Sequence, residues 1–221
     1  MTAAFHGFGD ESFDPPVRGF LYHPQTGGDG LVLAHGAGSN SSSSLLTALA
    51  GAFGGMGVTV LRCDLPFRQA RPFGPPRPGD AERDRDGLRN AVAALRKLGC
   101  ERTFLGGHSY GGRQATMLCA AEPELVAGLL LLSYPLHPPR KPAQLRVQHL
   151  PGLRVPALFV HGTRDPFGSV EEMEAAVKMI PAKTRLLIVD GAGHDLGFKG
   201  KVVRDGVVGE IVTAFSEFLE R

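Results

Sequence analysis

The pentapeptide Gly107-His108-Ser109-Tyr110-Gly111 has the spacing G-x-S-x-G. An apolar segment, Thr103–Leu105, precedes it and a helical-period stretch, Gly112–Ala121, follows. Strand, sharp turn and helix in that order form the setting in which a serine is lifted out of the backbone as a nucleophile, and glycines two positions either side let neighbouring segments approach. A serine hydroxyl is a weak nucleophile at neutral pH. It needs a general base within hydrogen-bond reach and a third group to fix that base's tautomer.

Behind such an elbow the acid and then the histidine are expected later in the chain, each just past the carboxyl end of a strand. Leu158–Val160 runs through His161-Gly162-Thr163-Arg164 to Asp165, and Leu187–Val189 runs through Asp190-Gly191-Ala192-Gly193 to His194. The expected catalytic residues are therefore Ser109, Asp165 and His194. Asp64 also ends a strand but precedes the serine, so it ranks second. Asp190 and Asp195 flank the histidine too closely to reach its far side and read as solvated or capping carboxylates. His23, His137 and His149 read as surface or loop hydrogen-bonding groups.

Acyl transfer also requires donors for a developing oxyanion, one from the residue after the nucleophile and one from a loop after an earlier strand. The backbone N–H groups of Tyr110 and of Ala37, in His35-Gly36-Ala37-Gly38, fill those places; His35 itself reads as a structural residue holding that loop. A competing reading takes Gly36-Ala37-Gly38 as a dinucleotide-binding turn with Asp64 on a ribose. Ser41 stands where its third glycine belongs, and it leaves Ser109, Asp165 and His194 unexplained. A non-catalytic interaction protein on the same scaffold is the remaining alternative.

The elements that position these residues follow from periodicity. Buried strands are predicted at Leu31–Ala34, Val58–Leu61, Thr103–Leu105, Gly128–Leu132, Ala157–Val160 and Arg185–Val189, with helices at Ser44–Phe53, Ala81–Leu98, Gly112–Ala121, Val170–Met179 and Val202–Leu219. Near-continuous apolar strands alternating with amphipathic helices predict an α/β fold, a mostly parallel sheet covered on both faces. Phe5–Gly9 and Val17–Tyr22 are weaker candidates for antiparallel edge strands. Pro66–Asp80, with five prolines and two glycines, is predicted to be a loop. Tyr134–Pro156 is proline-rich and too short for a separate lid. Residues 1–221 are expected to form one domain without a large cap.

Basic and acidic residues number 24 and 22, a net charge of +2, and are interspersed, so no nucleic-acid footprint is expected. Apolar runs such as Leu129–Leu132 fall far short of a membrane span. Met1–Asp14 lacks the basic and apolar segments of a signal peptide. Cys63, Cys100 and Cys119 sit in apolar surroundings and read as reduced core thiols, which points to a cytoplasmic protein with neither disulfide framework nor metal site. No cofactor is expected, the substrate is expected to be a small ester-like molecule, and oligomeric state is not readable.

His35–Gly38, Gly106–Arg113, Tyr134-Pro135-Leu136-His137-Pro138-Pro139 continuing to Leu150, Gly162–Gly168 and Gly193-His194-Asp195-Leu196 together resemble an α/β-hydrolase subfamily. It includes testis-expressed hydrolase-like proteins and a subunit of a nonspecific-lethal chromatin complex. Dienelactone hydrolase-like proteins are a looser match, with Ser109 in place of their usual cysteine. The resemblance implies the α/β-hydrolase fold and the same three catalytic positions, with substrates poorly defined. This chain departs from its relatives at Tyr110, where Met is frequent, and at Arg140, where Gly is usual. Among the bonds such a site can cleave, carboxylic esters are favoured because alkoxide or phenoxide leaves readily. Without a cap, short acyl groups up to roughly four to six carbons are expected to fit best.

Overall fold

A computed structural model describes residues 5–22, 28–198 and 206–220 of the chain. Eight strands form one sheet in the order β1-β2-β4-β3-β5-β6-β7-β8. They are β1 (His6–Asp10), β2 (Val17–Tyr22), β3 (Asp29–Ala34), β4 (Thr59–Cys63), β5 (Arg102–His108), β6 (Gly128–Leu132), β7 (Ala157–Gly162) and β8 (Thr184–Val189). β1 and β2 pair antiparallel to each other, as β2 does to β4, and every pair from β4 to β8 is parallel. The two weak candidates are thus real strands; β1 is the edge, where Gly7 and Gly9 face open space, while β2 is paired on both sides and its Gly19 is required because a Cβ there would lie 1.9 Å from Arg62 O.

The helices are α1 (Ser44–Gly55), α2 (Pro66–Ala70), α3 (Asp80–Lys97), α4 (Tyr110–Ala121), α5 (Val170–Val177) and α6 (Val207–Glu220). α1 and α6 cover one face of the sheet, and α3, α4 and α5 the other, each over its own apolar cluster. The central strands β4 and β6 are buried at every position; β6 is an unbroken apolar run, whereas β4 also buries Thr59 and Arg62.

Ser43 caps α1 by accepting the Leu46 N–H, and Ser169 with Glu172 forms a capping box on α5. α4 begins at Tyr110, two residues before the predicted start, and β5 extends to His108, so the turn between them is the single residue Ser109. The start of the predicted Val202–Leu219 helix, like His23, lies outside the described residues.

One prediction needs correction. Pro66–Asp80 is not loop throughout, because its first five residues form α2. Pro66 supplies the fixed φ favoured at a helix's first position and lacks an N–H that would be orphaned there. The Phe67 N–H donates to the buried carboxylate of Asp84 at 3.0 Å, tying α2 to α3. Tyr134–Pro156 holds no strand and only one 3-10 turn, Leu150–Gly152. Arg140, in this stretch, has φ +61°, the left-handed region that favours glycine.

After β3 the chain moves to β4 on one side, and β5 then returns to the other side of β3. Strand order reverses there, and in open α/β sheets the crevice beyond the carboxyl ends at such a point binds ligands. The loops that leave β3 and β5 carry Ala37 and Ser109.

Candidate active site

Ser109 has φ +53° and ψ −114°, a conformation that costs a side-chain-bearing residue about 1–3 kcal/mol. The surroundings enforce it. Ser109 N–H donates to Leu132 O on β6 at 2.8 Å, and Ser109 O accepts from Arg113 N–H at 3.0 Å in the first turn of α4. The return is so tight that a Cβ on Gly107 would lie 2.6 Å from the backbone of Gly111 and Gly112. One on Gly111 would lie 2.7 Å from His35 O. These glycines are required by close backbone approach.

The Ser109 hydroxyl lies 2.8 Å from His194 Nε2, and His194 Nδ1 lies 2.8 Å from Asp165 Oδ2. Because Asp165 can only accept, Nδ1 carries the proton and Nε2 is left to accept from the serine. Asp165's side chain is fully buried and its other oxygen accepts the Phe167 N–H at 2.9 Å, so both carboxylate oxygens are engaged. The Phe167 ring lies against the imidazole, 4.1 Å between centroids, and His108 Nε2 donates to His194 O at 2.7 Å from the other side.

The loops carrying Asp165 and His194 are bound to each other. A Cβ on Gly162 would come within 2.3 Å of Ala192 O; Arg164 N–H donates to Ala192 O at 2.9 Å and Gly191 N–H to Thr163 Oγ1 at 2.7 Å. Behind Asp165, His161 Nε2 donates to Gly168 O at 2.8 Å and turns Nδ1 toward the carboxylate at 3.9 Å. The rejected carboxylates have other partners: Asp190 accepts from the Thr163 hydroxyl, and Asp195 from the Gly197 N–H.

Tyr110 is the first residue of α4, where the N–H groups have no carbonyl one turn behind them. Its phenol donates to Asp84 Oδ2 at 2.7 Å, and burial and that bond push the phenol pKa up. The other proposed donor lies in the loop after β3. His35 is fully buried; its Nε2 accepts the Leu65 N–H at 3.1 Å, so Nδ1–H donates to Gly36 O at 2.8 Å. Because the Gly36–Ala37 peptide is planar, fixing Gly36 O aims the Ala37 N–H the opposite way. Among the described residues that N–H has no hydrogen-bond partner.

Arg68, on α2, is also nearly buried. It donates to Ser39 O at 2.8 Å, Ala37 O at 2.9 Å, Gly74 O at 3.0 Å and Arg71 O at 3.2 Å. One guanidinium thus joins the Ala37 loop to the proline-rich segment after α2. This clamp and the Phe167 packing are contacts between distant segments, which no local sequence pattern specifies. The helix-start proline before Arg68 was the one local signal.

These elements enclose a cleft of about 450 Å³ lined by Gly36–Ser39, Pro75, Pro76, His108, Ser109, Tyr110, Arg113, Pro135, Arg146, Phe167 and His194. It holds a serine hydroxyl within hydrogen-bond distance of an imidazole nitrogen, that imidazole's other nitrogen on a buried carboxylate, and backbone N–H groups at one rim. Such an arrangement can add an oxygen nucleophile to a carbonyl and return a proton to a leaving group. Among the described residues no cluster of three or more His, Cys, Asp or Glu side chains is placed to hold a metal ion, and no helix is long and apolar enough to cross a membrane.

A family model described as an alpha/beta hydrolase domain matches residues 28–219. Among solved structures, dienelactone hydrolase from Anabaena variabilis is similar at TM-score 0.76 and 20% identity, over 100% of this chain and 98% of that one. Est1E from Butyrivibrio proteoclasticus is similar at TM-score 0.74 and 16% identity, over 98% and 99%. An alpha-beta serine hydrolase homologue from Coxiella burnetii follows at TM-score 0.67 and 18% identity, over 100% and 97%. At these identities the structural likenesses speak for the fold alone, whereas the family model spans most of the chain. The chain belongs to the alpha/beta hydrolase family.

Proposed function

We propose that this chain is a serine hydrolase that cleaves small carboxylic esters through an acyl-enzyme. Ser109 attacks the ester carbonyl while His194 Nε2 takes its proton, and Asp165 holds the imidazole in the required tautomer and stabilises the imidazolium. The N–H groups of Ala37 and Tyr110 receive the oxyanion. His194 then protonates the departing alkoxide, and the same groups activate a water that hydrolyses the acyl-enzyme. The carrying observation is the continuous Ser109–His194–Asp165 hydrogen-bonded line, 2.8 Å at each step.

The reading needs no cofactor. α1 begins at Ser44, several residues past Gly38, so the glycine turn does not open directly into a helix as a dinucleotide-binding turn would. The three cysteines are free and buried, and unpaired thiols favour a reducing, cytoplasmic setting. The open, proline-walled cleft favours short acyl groups. Ser109→Ala should abolish turnover of 4-nitrophenyl acetate and labelling by a fluorophosphonate probe while leaving the unfolding transition in place. Retained turnover in that variant would remove the mechanism.

A further inference from the structure

Two arginines share the catalytic cleft without a carboxylate. Arg18, Arg71, Arg83, Arg89, Arg102 and Arg185 each sit within 3.2 Å of an Asp or Glu oxygen, and Arg62, Arg68, Arg85, Arg96 and Arg154 instead donate to backbone carbonyls or a side-chain amide at 3.1 Å or less. Arg113 and Arg146, among the described residues, form no ion pair, and the cleft they line contains no acidic side chain.

Their placement is built. Arg113 lies one helical turn beyond Ser109 on α4 and lines the same cleft, close enough to Arg146 and Tyr134 for its charge to act on both. Its Nε is buried with no hydrogen-bond partner. Arg146 comes from the proline-rich crossing after β6. Its N–H donates to Leu136 O at 2.8 Å and its carbonyl accepts the phenol of the buried Tyr134 at 2.7 Å. Its own Nη1 reaches only Pro135 O, at 3.5 Å. The neighbouring His149 is held neutral, its pKa lowered to about 4 by burial and the Arg113 charge.

Holding two like charges together in a partly buried cleft is unfavourable, and burial together with Arg113 lowers the pKa of Arg146. Neighbouring side chains supply no counter-charge, so a bound anion is what would relieve the repulsion. A guanidinium fork matches the two coplanar oxygens of a carboxylate.

We infer that Arg113 and Arg146 form an anion subsite of the cleft, and that the ester this protein cleaves carries a carboxylate in addition to its scissile bond. The inference rests on the serine hydrolase reading and gives the Tyr134–Pro156 segment a role in specificity. A long uncharged acyl chain would have to displace or cover the guanidinium groups, whereas a short acyl chain ending in a carboxylate would reach them.

The test compares mono-4-nitrophenyl glutarate with its uncharged counterpart 4-nitrophenyl pentanoate. The wild-type protein should show a kcat/KM at least tenfold higher for the charged ester. That anionic-to-neutral ratio should fall tenfold or more in Arg113→Met and in Arg146→Met, and be partly restored in the lysine variants. Glutarate titrated into the wild-type protein by calorimetry should bind and should compete with the charged ester, a readout that does not depend on the variants folding. Equal use of the two esters by an active wild-type enzyme, or a preference that survives both methionine substitutions, overturns the subsite. Tighter binding of inorganic phosphate than of glutarate overturns its assignment to a carboxylate. If neither ester turns over and Ser109 resists fluorophosphonate, the hydrolase reading is what fails; glutarate binding lost in the methionine variants then still supports an anion site, and no binding removes it.

Discussion

Two histidine–aspartate pairs stand on either side of Ser109, and only one of them leaves a ring nitrogen for it. In the pair after β7 and β8, His194 Nδ1 and Asp165 are 2.8 Å apart and Nε2 faces the serine hydroxyl. In the pair after β3 and β4, His35 Nε2 and Asp64 Oδ1 are 3.8 Å apart, with both His35 nitrogens bound to backbone and Asp64 accepting the Ser41 N–H at 2.8 Å. His194 keeps some solvent exposure, 21% of its side chain, and His35 none. Residue type and position at a strand end are common to both. On the proposed mechanism, what separates a proton carrier from a strut is the fate of the second nitrogen.

The largest expected contrast comes from removing each imidazole. His194→Ala should lower kcat for an activated ester by about 10⁴-fold or more with little change in stability. His35→Ala should instead strand the buried Leu65 N–H, while Gly36 O keeps the Ser39 N–H, and cost about 1–3 kcal/mol, measured by denaturant unfolding. A His35 variant as dead as the His194 variant, yet fully stable, would erase the distinction.

The carboxylates should rank the same way. Asp165→Asn should cost about 10³–10⁴ in kcat, because an amide in that position can donate to Nδ1 and favour the wrong tautomer. Asp64→Asn keeps an acceptor oxygen for Ser41 and should cost less than about tenfold. The reverse order of losses would transfer the orienting role to Asp64.

Arg68 extends the strut side of the comparison. Arg68→Met frees the carbonyls of Ala37 and Ser39, and a looser Ala37 N–H should lower kcat by about 10–100-fold, within the loss expected for a missing oxyanion donor. The effect should fall on kcat more than on KM. A change confined to KM would place Arg68 in substrate binding instead.

The smallest effect is in stability against pH. Burial lowers the His35 pKa, so the folded state holds this ring neutral while the unfolded chain takes up a proton below the ordinary histidine value of about 6.5. Native stability should therefore be fully present above about pH 6.5 and decline as the pH falls below it, with His149 acting in the same direction down to about 4. Unfolding at pH 5 and pH 8 should show a shallower slope in His35→Gln than in the wild type. Equal slopes would mean that His35 is not held neutral.

The comparison also marks what a reader of the sequence could see. Gly107–Gly111 between an apolar run and a helical run, and Asp165 and His194 past later strands, are local patterns repeated along one chain, and the fold follows from the same alternation. Which aspartate meets which histidine is a matter of sheet order, and chain order stood in for it only because parallel crossovers deliver loops to one edge. The roles of Arg68 and Arg146 are not legible in the sequence, because nothing near either specifies a carbonyl cluster or a second cation in space. α2 was hidden by the density of prolines after it, although Pro66 is itself a helix-start residue.

The order in which strands join the sheet has a consequence for synthesis. Ser109 hangs from β5 and β6, in the middle of the chain, whereas His194 follows β8, the edge strand paired last in sequence. A growing chain presents its hydroxyl well before its imidazole has left the ribosome. Under the proposed mechanism the nucleophile stays chemically silent through most of translation, and turnover begins only when the final parallel ladder has closed.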